Sequence, residues 1–159
     1  MKQEKSVIDR IRNDSSDAAQ CRRQIAALSA LGLADFSLIS LFQLGAIRTM
    51  PDLPGRVFDT KKVNTSKDAV LLGLPDGVIS LGSYAATILL ATAATRFKKQ
   101  SRLLDVAMGG IILGQAAGAA QYLYKMAFVQ KKVCIYCVAG AAINFATLHP
   151  LNRLFRRRD

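Results

Sequence analysis

The sequence predicts an all-α integral membrane protein, built as a bundle of four transmembrane helices with a partly ordered, exposed loop between the first two. Hydrophobic residues make up 51% of the 159 residues. They gather in four long runs that are almost free of charge, and short basic clusters separate the runs. This alternation is typical of chains that cross a bilayer several times.

Each apolar run approaches the roughly 20 helical residues that cross the hydrocarbon core, although the fourth is short. A soluble helical hairpin is disfavoured, because four such runs leave too little polar sequence to cover them. The runs cover about 24–46, 75–94, 106–128 and 133–149. The predicted organisation is a polar cytoplasmic tail over 1–23, a transmembrane domain over 24–150 and a basic cytoplasmic tail over 151–159.

The tails and connections set the orientation. The first 23 residues hold no apolar core followed by a small-residue cleavage site, so we expect an uncleaved anchor. Fourteen of the 22 Lys and Arg residues lie in the two tails and the second connection. The positive-inside rule then places both termini in the cytoplasm, for a multi-pass protein of a cell inner membrane. The net charge is +11, and the basic residues that carry it flank the apolar runs. We therefore expect anionic lipid as a partner and no nucleic acid.

The third run carries small residues at a helical spacing. Gly110, Gly114 and Gly118 recur every four residues. Such a groove lets another helix backbone approach closely. We therefore interpret it as a packing surface, either for a helix of this chain or for another membrane subunit.

The stretch KKVCIYCVAG, residues 131–140, holds Cys134 and Cys137 at the start of the fourth run. A zinc site needs four ligands, and the chain offers three cysteines and His149, so no metal is expected. A haem anchor would need His in place of Val138. A structural disulfide over so short a loop would add little stability.

A redox pair and two inert, buried cysteines are the interpretations that remain. The start of a helix and the neighbouring Lys131 and Lys132 favour thiolate. The predicted orientation places the pair on the oxidising side of the membrane, which favours redox chemistry. Cys21 falls on the opposite side and is expected to be a free thiol.

Four membrane helices with a CxxC pair opening the last one resemble the vitamin K epoxide reductase family. Residues 51–77 resemble the exposed loop of bacterial members, with Val63 and Ser66 matching a Val-x-x-Ser signature. Gly73 and Pro75 match the entry to the second helix. The resemblance covers about residues 24–150 and implies that electrons pass from a thiol-bearing partner protein through the CxxC pair to a membrane quinone of ubiquinone or menaquinone type.

The resemblance also implies roles for single residues. Cys137 should be the deeper thiol that faces the quinone, and Cys134 the outer thiol that exchanges with the donor. Asp76 matches a polar position that hydrogen-bonds a quinone oxygen, and it should lie close to Cys137. Tyr84 on the same helix and Ser66 in the loop are further quinone-site candidates.

Two departures from the family pattern matter. The position of a second loop cysteine is Thr60, and the loop has no cysteine, so a donor would have to reach Cys134 directly. We therefore expect the loop to cover Cys134 loosely and to leave an opening. A tyrosine of some members is Ala141 here, which favours an ordinary quinone over vitamin K epoxide.

Asp35 lies near the middle of the first run, where a carboxylate is costly unless it is neutral or faces the bundle interior. A hydrogen-bonded neutral acid and a proton relay are both compatible with that position. For the whole chain, the alternative to a quinone-dependent thiol oxidoreductase is a non-catalytic quinone-binding or structural subunit of a larger membrane complex.

Overall fold

The structure, a computed structural model, describes residues 2–156 and is mostly helical. The six α-helices are α1 (Lys2–Asn13), α2 (Asp17–Gln43), α3 (Thr60–Asn64), α4 (Asp76–Arg96), α5 (Ser101–Tyr124) and α6 (Ile135–Arg156). Short 3-10 turns cover Lys67–Ala69 and Lys98–Gln100, and a π-helical turn, Lys125–Gln130, extends α5. The strands β1 (Val70–Leu71) and β2 (Leu74–Pro75) pair antiparallel and lead into α4.

The four long helices form a closed ring. α2 packs against α4 and α6, and α5 packs against the same two helices from the other side. Large apolar side chains such as Leu31, Leu89 and Leu113 remain exposed on the outside of this ring. An exposed apolar surface of this kind suits lipid rather than water.

Glycines let α2 lie close to its two neighbours. A β-carbon at Gly32 would overlap the ring of Tyr84 on α4. A β-carbon at Gly140 on α6 would come within 2.6 Å of Phe36 Cε2 and 3.0 Å of Asp35 Oδ2. Because helices in lipid associate through close packing rather than through a hydrophobic driving force, these contacts fix how the ring closes.

Three helical stretches are long and apolar enough to cross a membrane: α2, α4 and the continuous stretch Lys98–Gln130. The predicted class, a mostly helical membrane protein, is therefore confirmed. α6 is 22 residues long but is not among these candidate spans, and it carries Asn144, His149 and Arg153. That α6 is a fourth crossing stays a prediction.

Helix ends differ from the boundaries that hydropathy predicts. Ser16 caps α2 by accepting a hydrogen bond from the backbone of Ala19, so α2 begins seven residues before the apolar run. α6 continues to Arg156, so the segment predicted as a basic tail is helical up to that residue. Arg157 and Arg158 of that predicted tail lie outside the described residues.

Two separate clusters of buried side chains hold the ring, one at each end. The first, near the start of α2, takes side chains from all four long helices, namely Cys21, Ile25, Ala91, Met108, Ile112, Leu151 and Leu154. The second lies at the opposite end and contains Ile39, Val63, Met126, Cys134 and Cys137. The two clusters share no residue.

A buried ion pair joins α2 to α5 at the first cluster. Arg22 donates from Nε to Asp105 Oδ1 at 2.9 Å and from Nη2 to Oδ2 at 2.7 Å. The two side chains are only 7% and 0% exposed. Two parallel, charge-assisted hydrogen bonds of this kind fix the relative position of the helices.

Replacing Asp105 with Asn should destabilise the folded protein by about 3–5 kcal/mol, because Arg22 would keep its charge in the core without a carboxylate. Thermal unfolding of the chain in detergent micelles measures the loss. Lys98→Gln is the matched control, since Lys98 is 79% exposed in its pair with Asp14 and should cost less than about 1 kcal/mol. Equal losses would show that the buried pair contributes no more than a surface pair.

Candidate active site

The cysteine pair lies at the start of α6, as its spacing predicts. Cys134 immediately precedes the helix and Cys137 lies in its first turn, and the two form a disulfide. The backbone N–H of Cys137 donates to Cys134 Sγ at 3.1 Å. One of the N–H groups that have no intrahelical acceptor at the helix start therefore points toward the outer sulfur.

A short loop segment, residues 57–64, covers the disulfide, and we call it the cap. Its approach is fixed by backbone pairing with Val133, which donates to Val57 O at 2.9 Å and accepts from Asp59 N at 3.1 Å. Asp59 then caps α3 by accepting from Lys62 N at 2.9 Å. α3 consequently begins directly over the residue that precedes Cys134.

A polar clamp fastens the base of the cap. Thr60 donates from its backbone N and from Oγ1 to the two carboxylate oxygens of Asp52, each at 2.7 Å. Thr60 is fully buried. Thr60 is the position that the family resemblance assigns to a loop cysteine. Here it holds the cap closed through hydrogen bonds to Asp52 instead of through a disulfide.

The last residue of α3, Asn64, contacts both sulfurs. Its Nδ2 lies 3.2 Å from Cys134 Sγ and 3.7 Å from Cys137 Sγ, and it also donates to Thr60 O at 2.9 Å. Sequence reasoning missed this residue. Asn64 is one polar residue in a polar loop, so neither a hydrophobic period nor a sequence motif marks it.

The expectation of an opening at Cys134 is wrong in this structure. Cys134 is 0% exposed, whereas Cys137 is 8% exposed. Val63 belongs to the same buried cluster as the sulfurs, and Asn64 contacts Cys134 directly, so the cap seals the outer sulfur. Both cysteines are buried, and Cys137 is the less buried of the two.

A cavity of about 470 Å³ lies inside the helix ring, and Cys137 lines it. Its walls are mainly apolar, with a few polar groups, which is the composition of small-molecule sites. The polar lining side chains include Asp76, Ser80, Ser83, Gln115 and Asn144, and the apolar ones include Phe36, Ile39, Ile79 and Ile111. A larger cavity of about 1360 Å³ lies between α1 and the end of α4 and is not lined by cysteine.

Asp76 and Cys137 line the same cavity, and the contact of Asp76 with a quinone oxygen stays a prediction. Asp76 opens α4, and its Oδ1 accepts from Gln43 Nε2 at 2.6 Å and from Gly77 N at 2.9 Å. Gln43 Oε1 in turn accepts from Gly77 N at 3.1 Å. These bonds hold the carboxyl group in one orientation on the cavity wall.

The other predicted site residues lie outside the cavity lining. Tyr84 is 1% exposed and donates through its hydroxyl to Asn144 Oδ1 at 2.8 Å, so it meets the cavity only through Asn144. Ser66 donates to Val63 O at 2.8 Å within the cap region. Asp35 has a buried Oδ2 for which the described residues supply no hydrogen-bond partner. The predicted roles of all three stay predictions.

The glycine groove of α5 also lines this cavity. Gly110, Gly114 and Gly118 are all lining residues, and a β-carbon at any of them would meet no described atom within 4 Å. Of the two alternatives for this groove, packing against a described helix of this chain is therefore not what the structure shows. The absent side chains leave space beside the cavity instead.

A second polar contact ties the segment after the cap to the end of α5. Lys125 Nζ lies 2.9 Å from Asp68 Oδ1, and Gln130 Nε2 donates to Asp68 Oδ2 and to Ser66 Oγ, each at 3.1 Å. The hydrogen bond from Lys125, followed by that from Gln130, lowers the pKa of Asp68. Asp68 is therefore charged at neutral pH and keeps this contact.

The sequence profile of the vitamin K epoxide reductase family matches residues 23–149, which is most of the chain. The matched range includes the cysteine pair, the cap and the residues that line the cavity. The chain belongs to this family. Membership implies a membrane thiol–disulfide oxidoreductase linked to quinones. A comparison with curated proteins found no match.

Thr60→Val should loosen the cap by removing the hydroxyl bond to Asp52. A net hydrogen bond contributes about 1 kcal/mol, so reduction of the disulfide by a water-soluble phosphine should become about fivefold faster. The measurement is the rate at which alkylatable thiol appears. Thr65→Val is the matched control on the same short helix, since Thr65 is exposed and bonds only to Lys61 O. An unchanged rate in Thr60→Val would show that the clamp does not limit access.

Proposed function

We propose that this family member is a quinone-dependent thiol oxidoreductase whose catalytic pair is Cys134 and Cys137. The observation that carries the proposal is that Cys137 and Asp76 line one cavity inside the helix ring. A redox sulfur and a hydrogen-bonding carboxyl group thus meet in a mainly apolar site. That combination suits a quinone ring, which has apolar faces and polar carbonyl oxygens.

The residues at the cavity have different roles in the proposed reaction. A bound quinone supplies an acceptor for two electrons and two protons. Cys137 presents its sulfur to the cavity, and Cys134 completes the disulfide behind it. Asp76, held by Gln43 and Gly77, is placed to donate a hydrogen bond or a proton at one end of the site. Asn144 lines the cavity and is held by Tyr84.

Asp35 is our candidate for the proton relay. Its Oδ2 faces Gly140, one turn of α6 beyond Cys137. The atom is buried and has no hydrogen-bond partner among the described residues. A carboxyl group in that position can hold a proton between the pair and the interior of the bundle.

The groove of α5 suits the tail of a membrane quinone of ubiquinone or menaquinone type. Gly110, Gly114 and Gly118 leave an open strip along the cavity. A branched isoprenoid chain needs such a strip, and side chains at these positions would fill it. This accounts for the small residues without a second subunit.

Electrons would enter from a partner protein that displaces the cap and exchanges thiols with the pair. The acidic residues near the cap are engaged within the chain, since Asp52 binds Thr60 and Asp59 caps α3. Apart from Asp52, the exposed charged side chains around the cap are basic, namely Arg48, Arg56, Lys61, Lys62, Lys67 and Lys131. This charge favours a donor with an acidic rim.

We further propose that α6 is the fourth crossing and that both termini lie in the cytoplasm of a cell with this protein in its inner membrane. The excess of basic residues at the tails and the α4–α5 turn supports this orientation. The cap and the disulfide then lie on the oxidising side, where an active disulfide persists.

The alternative is a quinone-binding or structural subunit of a larger complex. One observation favours it: Cys134 is sealed, and the loop that covers it has no cysteine. Turnover of a small dithiol with added quinone by the purified chain distinguishes the two. A subunit without catalytic function would give none.

Asp76→Ala should slow quinone reduction about 10²-fold or more, because a positioned acid contributes at least this much. Reduction of the Cys134–Cys137 disulfide by a small dithiol should change little, since Asp76 does not contact the sulfurs in the described hydrogen bonds. Stopped-flow measurement of each half-reaction separates the two rates. Thr92→Val, on the exposed side of α4, is the control. Equal loss of both half-reactions would assign Asp76 a folding role instead.

A cysteine placed at Lys61 should react with a membrane-impermeant maleimide added outside intact cells, whereas one placed at Lys99 should not. Both positions are exposed, and the native cysteines are buried. Gel shift of the labelled chain gives the result. Labelling at Lys99→Cys with none at Lys61→Cys would reverse the orientation.

A further inference from the structure

We propose that Asn64 is a catalytic residue of the cysteine pair, whose side-chain amide stabilises the thiolate that Cys134 carries when the disulfide opens. The proposal deepens the proposed function and rests on it for its role in turnover. Its chemical basis lies in contacts that do not involve a quinone.

The amide of Asn64 is held in place against the sulfurs. Asn64 is 4% exposed and ends α3. Nδ2 donates to Thr60 O at 2.9 Å, which orients the amide, and lies 3.2 Å from Cys134 Sγ. Oδ1 lies 3.7 Å from Cys137 Sγ, so the reduced Cys137 thiol would meet an acceptor. Nδ2 also lies 3.7 Å from Cys137 Sγ, so the shortest contact of the amide is the one from its donor to Cys134 Sγ.

Two donors converge on the outer sulfur. Cys134 Sγ lies 3.1 Å from the N–H of Cys137 and 3.2 Å from Nδ2 of Asn64. A disulfide sulfur is a weak acceptor, whereas a thiolate is charged and accepts strongly. Because the site is buried, a hydrogen bond to a charged atom there is stronger than the same bond in water. Both donors therefore stabilise the reduced state more than the oxidised one.

The other titratable side chains around the pair have hydrogen-bond partners elsewhere or lie on other walls. The hydroxyl of Tyr122 donates to Val63 O and that of Tyr136 to Pro51 O. Lys132 donates to Arg56 O, and Asp59 caps α3. The remaining charged groups at this end are Asp35, Asp52, Asp68, Asp76, Arg48, Arg56, Lys61, Lys62, Lys67, Lys125 and Lys131. Among the described hydrogen bonds, Asn64 is the side chain that donates to Cys134.

The difference in burial between the two cysteines indicates which sulfur an incoming thiolate attacks. Both cysteines are buried, but Cys137 is less so and lines the cavity. A thiolate of a small dithiol attacks Cys137 Sγ, a mixed disulfide forms, and the electron pair of the broken bond leaves on Cys134 Sγ, where Asn64 lies. The second thiol of the reductant then attacks the mixed disulfide and releases Cys137, which takes a proton. The reductant ends as a cyclic disulfide, and the protein has gained two electrons and one proton, which is on Cys137, while Cys134 remains a thiolate.

A donor that favours the Cys134 thiolate makes the disulfide easier to reduce. The pair then becomes a stronger oxidant of incoming thiols. That is the property a thiol oxidase needs.

The test compares Asn64→Leu and Asn64→Asp with wild type, using the full chain purified in lipid nanodiscs. After equilibration with a dithiol redox buffer, the reduced-to-oxidised ratio of the pair is read by alkylation and mass spectrometry. Asn64→Leu should lower this ratio about tenfold, equivalent to about 30 mV. Asn64→Asp should lower it further, because a carboxylate repels the thiolate. Thr60→Val is the control: it loosens the cap and should change the rate of reduction while leaving the ratio within twofold.

The second readout is the pH profile of Cys134 alkylation in the reduced protein, resolved by peptide. In wild type its midpoint should lie below that of a cysteine in an unfolded peptide. It should rise by about one pH unit in Asn64→Leu. A wild-type midpoint at or above that of the unfolded peptide overturns the proposal, even if both variants fail to fold. An equal change of ratio in Asn64→Leu and Thr60→Val also overturns it, since the role would then be structural.

Quinone turnover by wild type, measured separately, keeps the two hypotheses apart. Turnover with no shift in the Asn64 variants overturns this inference alone. A shift without wild-type turnover supports the inference, and it is then the proposed function that fails.

Discussion

The backbone pairing of residues 57–59 with Val133 is the constraint on which the candidate site depends. It joins a loop that follows the first long helix to the residue just before the cysteine pair. Everything that touches the sulfurs from outside follows from this junction: α3 begins there, Thr60 reaches Asp52, and Asn64 meets Cys134. Backbone groups make the junction, so it tolerates many side chains and still places the cap.

The contacts that fasten the two ends of the closure over the disulfide are polar, although Val63 packs beneath it. The base of the cap is held by Asp52 and Thr60, and the segment after it by Asp68 and Lys125. Non-covalent contacts of this size open and close without an electron transfer. Opening of this cap would therefore need no electron transfer, whereas a cap closed by a disulfide would have to be reduced first.

Hydropathy and the CxxC motif predicted the membrane class, the placement of the pair at a helix start and the family, because each of these signals is local in sequence. The proximity of Asp76 to the cavity followed from the family resemblance. The sealed state of Cys134 and the contact of Asn64 could not be predicted, since both depend on how a polar loop folds back over another helix. The glycines of α5 show the same limit: their spacing predicts a groove, but what fills a groove is a tertiary property. Likewise, the sequence predicts Arg22 as part of a polar tail, because its partner Asp105 lies 83 residues away.

The two buried clusters at opposite ends of the ring have no residue in common. The end with Arg22 and Asp105 is joined by a buried ion pair between helices, whereas the other end is closed by a loop. Substitutions in that loop leave the contacts of the first cluster intact. The architecture is modular in this sense: one short loop can change its sequence while the packing of the helices at the opposite end is kept.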